Sequence, residues 1–256
     1  MIRTTRLIYF SATGTTARIV SAIGEGIGNT DTLSCALLSH TPADLSVPPD
    51  EIAVFGVPVF SGRIPAPARE ALEKIKGDHT PAVIACVYGN RDYDDALREL
   101  SDIVTRNGFR VLSAGAFIGQ HSIFPDTGRG RPDMSDLAIA RKFGTDSLSI
   151  ALQNKAAPCE IKGSQPYRKA QKVPLYPSAG KKCNRCGICA GQCPTQAIDP
   201  QNPPVTDKRK CISCAHCIAV CPRHARKFHG LLYRLVSRKF VKKYSLRKEP
   251  ELFFSR

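Results

Sequence analysis

Eight of the chain's 11 cysteines fall between residues 183 and 221. They form two blocks, KKCNRCGICAGQCPTQAI (181–198) and RKCISCAHCIAVCPRHAR (209–226), each reading C-x2-C-x2-C-x3-C-P. The second block repeats the first at a distance of 28 residues, which marks an internal duplication. Thiols crowded in this way are either cross-linked as disulfides or gathered around metal. The start of the chain, MIRTTRLIYFSATG, has only four consecutive apolar residues, too few for a signal-peptide core, and no run of eighteen occurs anywhere. The expectation is a cytoplasmic chain, where a cysteine cluster binds metal.

The cysteine run resembles that of two-cluster bacterial ferredoxins, in which the fourth cysteine of each run ligates the other [4Fe–4S] cluster. The resemblance covers residues 180–225. It implies one cluster on Cys183, Cys186, Cys189 and Cys221, and a second on Cys211, Cys214, Cys217 and Cys193. Three thiolates on a tight loop clasp three corners of a cube, the fourth arrives from elsewhere, and Pro194 and Pro222 fix the backbone just after it. Zinc is an alternative, although its sites favour paired C-x2-C units. Clusters with a purely structural role are another.

The chain joins two unlike halves. Residues 1–159 hold 16 Lys/Arg and 17 Asp/Glu, whereas residues 160–256 hold 21 and 5. In the first half, strand-like runs at 6–10, 32–38, 51–57, 81–89 and 109–119 alternate with helical patterns at 15–28, 66–76, 93–107 and 135–153. Five strands alternating with helices predict a doubly wound parallel sheet, with ligands at the carboxyl ends of the strands. Residues 155–182 have no period and many prolines and lysines, and read as a linker. From 226 onward the chain reads as one basic helix.

After the first strand come Ser11, Thr13, Gly14, Thr15 and Thr16, hydroxyl and glycine residues that open a helix and suit a phosphate. The loop lacks the G-K-[S/T] of a nucleoside-triphosphate site. GEGIGN (24–29) fails the dinucleotide fingerprint at its last position and lies within a helical pattern. The [S/T]-x-T-G-x-T loop resembles the phosphate site of flavodoxins, and the similarity covers about residues 1–155. It implies bound FMN. Val59, Phe60, Ser61 and Gly62 would then lie under the flavin ring, with Tyr88, Gly89, Asn90, Arg91 and Tyr93 on the other side. Phe60 and Tyr93 are the expected sandwich. A phosphate monoester needs no lysine, because N–H groups and hydroxyls satisfy it through charge-assisted hydrogen bonds. Arg63 and Arg91, near the ring, would stabilise negative charge on reduced flavin.

A basic half invites a nucleic-acid reading, but no nucleic-acid motif is present and anionic clusters would offset part of the charge. In the tail, Leu232, Tyr233, Val236, Phe240 and Tyr244 share one helical side opposite Arg234, Arg238 and Lys242; this face could pack back, meet a partner or lie on a membrane. Cys35 and Cys86 read as buried thiols, Cys159 has no assigned role, and His121 lies in a long loop at 119–133. The whole resembles flavodoxin–ferredoxin fusion proteins of anaerobic bacteria and archaea. The expected layout is 1–155 for the FMN domain, 156–179 for the linker, 180–225 for the two-cluster domain and 226–256 for the tail. Two functions follow: a carrier passing electrons between redox partner proteins, or a reductase of a small molecule with clusters feeding FMN.

Overall fold

A computed structural model of the chain describes residues 2, 4–28, 31–38, 44–153 and 159–255. The expected boundary near residue 155 lies outside the described residues. The first strand, β1 (Thr4–Tyr9), leads into α1 (Thr15–Ile27), then β2 (Asp31–Ala36), the short β3 (Leu45–Val47) and β4 (Glu51–Pro58). Next come α2 (Ala66–Leu72), β5 (Ile75–Gly77), β6 (Thr80–Tyr88), α3 (Ala96–Arg106), β7 (Phe109–Ile118) and α4 (Met134–Leu152).

Strands β2, β1, β4, β6 and β7 lie side by side in that order, all parallel. In chain order this is the 2-1-3-4-5 sequence of a flavodoxin-like doubly wound sheet. The central strands β4 and β6 are buried along almost their whole length, as near-continuous apolar runs should be when helices cover both faces. One face packs Phe10, Phe55, Leu97 and Ile84, and the other packs Ile19, Ile23, Val54 and Phe143. The weakest of the predicted runs, β2, is a largely exposed edge.

Helices α1 and α4 cross closely on the second face, and glycine makes this possible. A Cβ on Gly144 would stand 2.1 Å from the Ile23 carbonyl oxygen, and one on Gly26 would stand 1.9 Å from that of Arg141. Gly144→Val should therefore destabilise the domain by about 3 kcal/mol, because backbone must move to admit the side chain; a fall in the urea midpoint with unchanged slope would register it.

The second half begins with β8 (Ser178–Ala179), followed by two matching turns of helix, α5 (Ile188–Gly191) and α6 (His216–Ala219), and then β9 (Arg226–Lys227). The duplication holds at the level of backbone angles. Left-handed residues recur 28 positions apart: Arg185 and Ser213 (φ 58° and 56°), Gly187 and Ala215 (77° and 63°), Gln196 and His224 (50° and 45°).

The tail departs from the single helix expected. Helix α7 (Leu231–Lys243) ends early, and β10 (Glu251–Phe254) pairs antiparallel with β7 as a sixth strand of the main sheet. This strand covers an edge that β7 would otherwise leave open. Phe254 meets Phe143 at 5.5 Å, Arg247 pairs with Asp133 at 2.7 Å, and Arg131 Nη1 donates to the Lys248 carbonyl at 2.6 Å. The linker is also held down. Asp95 accepts from the backbone N–H of Ser164 (2.8 Å) and Arg168 (2.7 Å), which draws residues 164–168 along the start of α3.

Candidate functional site

At the carboxyl ends of the parallel strands the α/β domain opens into a cavity of about 610 Å³. Thr13, Thr15 and Thr16 line one end of it, Val59, Phe60, Ser61 and Gly62 one side, and Tyr88, Gly89 and Arg91 another. Helix α1 opens at left-handed Gly14 (φ 86°), which has no side chain of its own to cap it. Its first N–H groups and partial positive charge thus face the threonines, an arrangement suited to phosphate. Phe60 and Arg63 exchange backbone hydrogen bonds across a two-residue turn, with Ser61 at φ 52° and Gly62 at φ 83°. Both angles are those of a type I′ turn, which glycine permits at the second position. A Cβ on Gly62 would meet Asp94 Oδ2 at 2.3 Å.

Four residues expected to bind cofactor do not reach the cavity wall. Ser11 Oγ instead accepts from the Ala17 N–H at 3.1 Å, and so steadies the first turn of α1. Gly14 supplies the bend between Thr13 and Thr15. Asn90 turns away, its Nδ2 donating to the carbonyls of Tyr244 and Leu246 at 2.8 Å each. Tyr93 is fully buried, and its hydroxyl donates to Glu251 Oε2 at 2.7 Å. The tyrosine on the wall from that loop is Tyr88, whose ring lies 5.5 Å from that of Tyr93. Arg63 is also withdrawn. It forms a two-pronged pair with the buried Glu99 (2.7 Å for each bond) and donates to the Arg168 carbonyl. Its charge is spent inside the protein rather than on a flavin. Arg91 does line the cavity, paired with Asp94.

Other parts of the wall come from segments outside the phosphate and flavin loops. His121, Ile123 and Phe124 contribute from the 119–133 loop, Phe240 from α7, and Cys211 to Cys214 from the second cysteine block. His121 Nδ1 accepts from the N–H groups of Ile123 and Phe124 at 3.1 Å each, which leaves the ring proton on Nε2. Burial, aided by Arg91, pushes its pKa down to about 4. The unfolded chain therefore binds this proton first, so the associated stability is present above about pH 6.5 and is lost as pH falls toward 4. The His121 ring resonances should accordingly stay still between about pH 8 and 5.5 in an NMR titration.

The eight clustered cysteines separate into two pockets. Cys183, Cys186, Cys189 and Cys221 wall one, and Cys193, Cys211, Cys214 and Cys217 wall the other. Each set takes three cysteines from one block and one from the other, as the ferredoxin resemblance implies. Among the described residues, no three of these side chains converge on a point suited to a single metal ion. They ring a space instead. Backbone N–H groups at matching positions approach the sulfurs: Arg185 to Cys183 and Ser213 to Cys211 (3.4 Å), Ala197 to Cys193 and Ala225 to Cys221 (3.3 Å).

Arg226 tests whether these pockets suit an anionic group. The guanidinium is 2% exposed and has no carboxylate partner among the described residues. Its nitrogens reach the carbonyls of Pro203 and Pro177, the Thr206 hydroxyl and, at 3.9 Å, Cys189 Sγ, while Nε has no partner. A buried cation without a counter-charge costs several kcal/mol. Clusters with four thiolates each carry negative charge and supply it. Burial also raises the Cys214 thiol to about 12, a proton that ligation to iron displaces. The donor set fits. Arg226→Met should lower the reduction potentials by on the order of 50–100 mV, with Arg226→Lys recovering part of the change, in an EPR-monitored titration.

Residues 182–226 match the 4Fe-4S dicluster domain family, and this part of the chain carries two [4Fe–4S] clusters. The protein is thus a flavodoxin-like α/β domain joined to a ferredoxin-type dicluster domain. Among curated proteins it is similar to a trichloroethene reductive dehalogenase of Dehalococcoides mccartyi, 35% identical over 96 residues. That match takes in 29% of this chain and 17% of the dehalogenase, so the chain spans less than a fifth of that relative's length. Among solved structures it is similar to an archaeal flavodoxin (15% identity, TM-score 0.39, 57% of this chain and 96% of that one). It is also similar to a WrbA-like flavodoxin from Agrobacterium tumefaciens (16%, TM-score 0.42, 60% and 99%). The fold assignment rests on the strand order itself. Among the described residues, no helix is long and apolar enough to cross a membrane.

Proposed function

We propose that the chain is an electron-transfer iron–sulfur flavoprotein, binding FMN in the 610 Å³ cavity and exchanging single electrons with partner proteins through its clusters. One observation carries this reading: Cys211 and Cys214, which we assign to one cluster, also wall the cavity that begins at Thr13, Thr15 and Thr16. His216 Nδ1 lies 2.8 Å from the Ala12 carbonyl oxygen, which ties the dicluster segment to the phosphate loop. FMN supplies the junction between one- and two-electron chemistry. Phe60 and Tyr88 offer aromatic faces to its ring, and the threonines and the start of α1 hold its phosphate. Phe124 and Phe240, in contact with each other, add aromatic surface to the cavity wall.

The two cysteine sets differ in access. In the set beside the cavity, Cys211, Cys214 and Cys217 are all buried, while in the other set Cys186 is exposed. Lys181, Lys182, Arg185 and Arg223 stand exposed around that outer set, none in an ion pair among the described residues. Electrons would then pass from the outer cysteine set to the inner set beside the cavity, with an acidic carrier protein docking at the outer set.

The test is anaerobic stopped-flow mixing of FMN-loaded chain with a reduced acidic ferredoxin, following flavin absorbance. Bleaching should need the clusters. If cluster-free protein bleaches as fast, the line of transfer is wrong. The reductase reading draws on Arg168 and Lys172, which line the cavity beyond the flavin loops and could receive a small anionic acceptor. Turnover of such a compound with no protein acceptor present would favour it.

A further inference from the structure

Helix α7 is held to the protein by one side only. Tyr233 stacks between Phe124 and Phe228 at 5.9 Å from each, and its hydroxyl donates to the Ile123 carbonyl. Phe240 meets His121 at 4.8 Å and Phe124 at 4.7 Å. The apolar face expected from sequence is therefore divided, with Tyr233 and Phe240 turned inward and Leu232 and Val236 left outside.

Leu231, Leu232, Leu235 and Val236 form an outward ridge, 71%, 55%, 50% and 36% exposed. A helix whose inner side is already satisfied ordinarily shows charge to water, so leucines there need another explanation. Around and beyond the ridge stand Arg234, Arg238, Lys239, Lys242 and Lys243, all exposed and none in an ion pair among the described residues. From Lys208 to Lys248 the chain has 13 Lys/Arg and no Asp or Glu. This surface asks for an apolar phase and negative charge together.

A bilayer of anionic lipid offers both within a few ångströms. The shape of the ridge separates this from a groove on another protein. Helix-in-groove docking uses a row of anchors at i, i+3, i+4 and i+7 running along the helix. Here the exposed large apolar side chains of the helix are confined to 231–236, and the exposed residues from 238 to 243 are cationic. A short apolar entry followed by a cationic run suits shallow insertion with headgroup contacts.

We propose that α7 docks this protein in the plane of an anionic membrane surface, with Leu231, Leu232, Leu235 and Val236 entering below the headgroups and the lysines and arginines meeting lipid phosphates. The inference does not depend on what fills the cavity. It gives the tail a role apart from lining the cavity, which Phe240 does from the inward side of the same helix.

The experiment is co-sedimentation of the full, iron-loaded chain with vesicles, using cluster absorbance as the readout. Vesicles of phosphatidylcholine alone are compared with vesicles also containing phosphatidylglycerol. Binding is expected only with phosphatidylglycerol, weakening as salt rises, and the double variant Leu232→Gln/Leu235→Gln should reduce partitioning by about tenfold or more. Both leucines are exposed, so iron content and circular dichroism should be unchanged. Two results overturn the proposal. If the leucine variant binds as well as the parent, adsorption is electrostatic and nothing inserts. If neither vesicle binds the parent, the ridge belongs to a protein partner.

Discussion

Cys221→Ala will remove the cluster whose other three ligands lie in the first block, and will leave the cluster of its own block in place. Iron should fall from about eight atoms per chain to about four. The expectation rests on the pocket that Cys221 shares with Cys183, Cys186 and Cys189, while Cys211, Cys214 and Cys217 face Cys193. Double variants separate this pairing from the sequential one. Adding Cys183→Ala to Cys221→Ala should cost no further iron, because both ligands serve one cluster; adding Cys211→Ala should remove nearly all of it. Losses that coincide within a group and add between groups report shared sites. The opposite pattern would mean that each block holds its own cluster. The transfer line adds a second readout. Cys221→Ala should slow reduction by a protein donor yet keep the inner cluster beside the cavity, whereas Cys193→Ala should break the contact between cluster and flavin.

What could be read from the sequence was whatever has a local period or spacing. The strand runs, the helix expected at 135–153 and the cysteine blocks are of this kind, because pleat, helical turn and ligand loop each repeat within a few residues. Side-chain destinations were not legible where a distant partner decides them. Tyr93 looked like a flavin-facing ring, but Glu251, 158 residues away, holds its hydroxyl in the core. Arg63 looked free to face the flavin, but Glu99 had claimed it. The strand ELFF at 251–254 is too short to announce itself, and its pairing with β7 is a fact of packing. The glycines of GEGIGN matched no nucleotide fingerprint for a physical reason: Gly24 lies against Leu7 and Gly26 against the backbone of α4. Arg226 hid within the repeat. Its counterpart 28 residues earlier is Ile198, also buried, and only the missing carboxylate marks the arginine as a partner for anionic clusters.

Thr15→Asp should weaken FMN binding by about two orders of magnitude while leaving the fold as stable as before or slightly more so. The two effects have opposite signs for separate reasons. Thr15 is the first residue of α1, where a carboxylate interacts favourably with the helix dipole, by about 0.3–1 kcal/mol. At the same position it would face the phosphate of the cofactor, where unlike Thr15 it repels a dianion and displaces a hydroxyl donor. Two like charges about 4 Å apart at an effective dielectric of 20 interact by about 4 kcal/mol, and screening by solvent and salt reduces this to about 3 kcal/mol, or a factor of about 150. Quenching of FMN fluorescence on binding gives the affinity, and urea unfolding of the FMN-free chain gives the stability. A general packing defect would lower both. Unchanged affinity together with normal stability would place the phosphate elsewhere and withdraw FMN from the hydroxyl loop. Thr13→Asp is less informative, because Thr13 precedes the left-handed Gly14 and lies outside the first helical turn, so the dipole gives it no compensating gain. Thr15, first in the helix and on the cavity wall, lets one substitution separate the anchor from the scaffold.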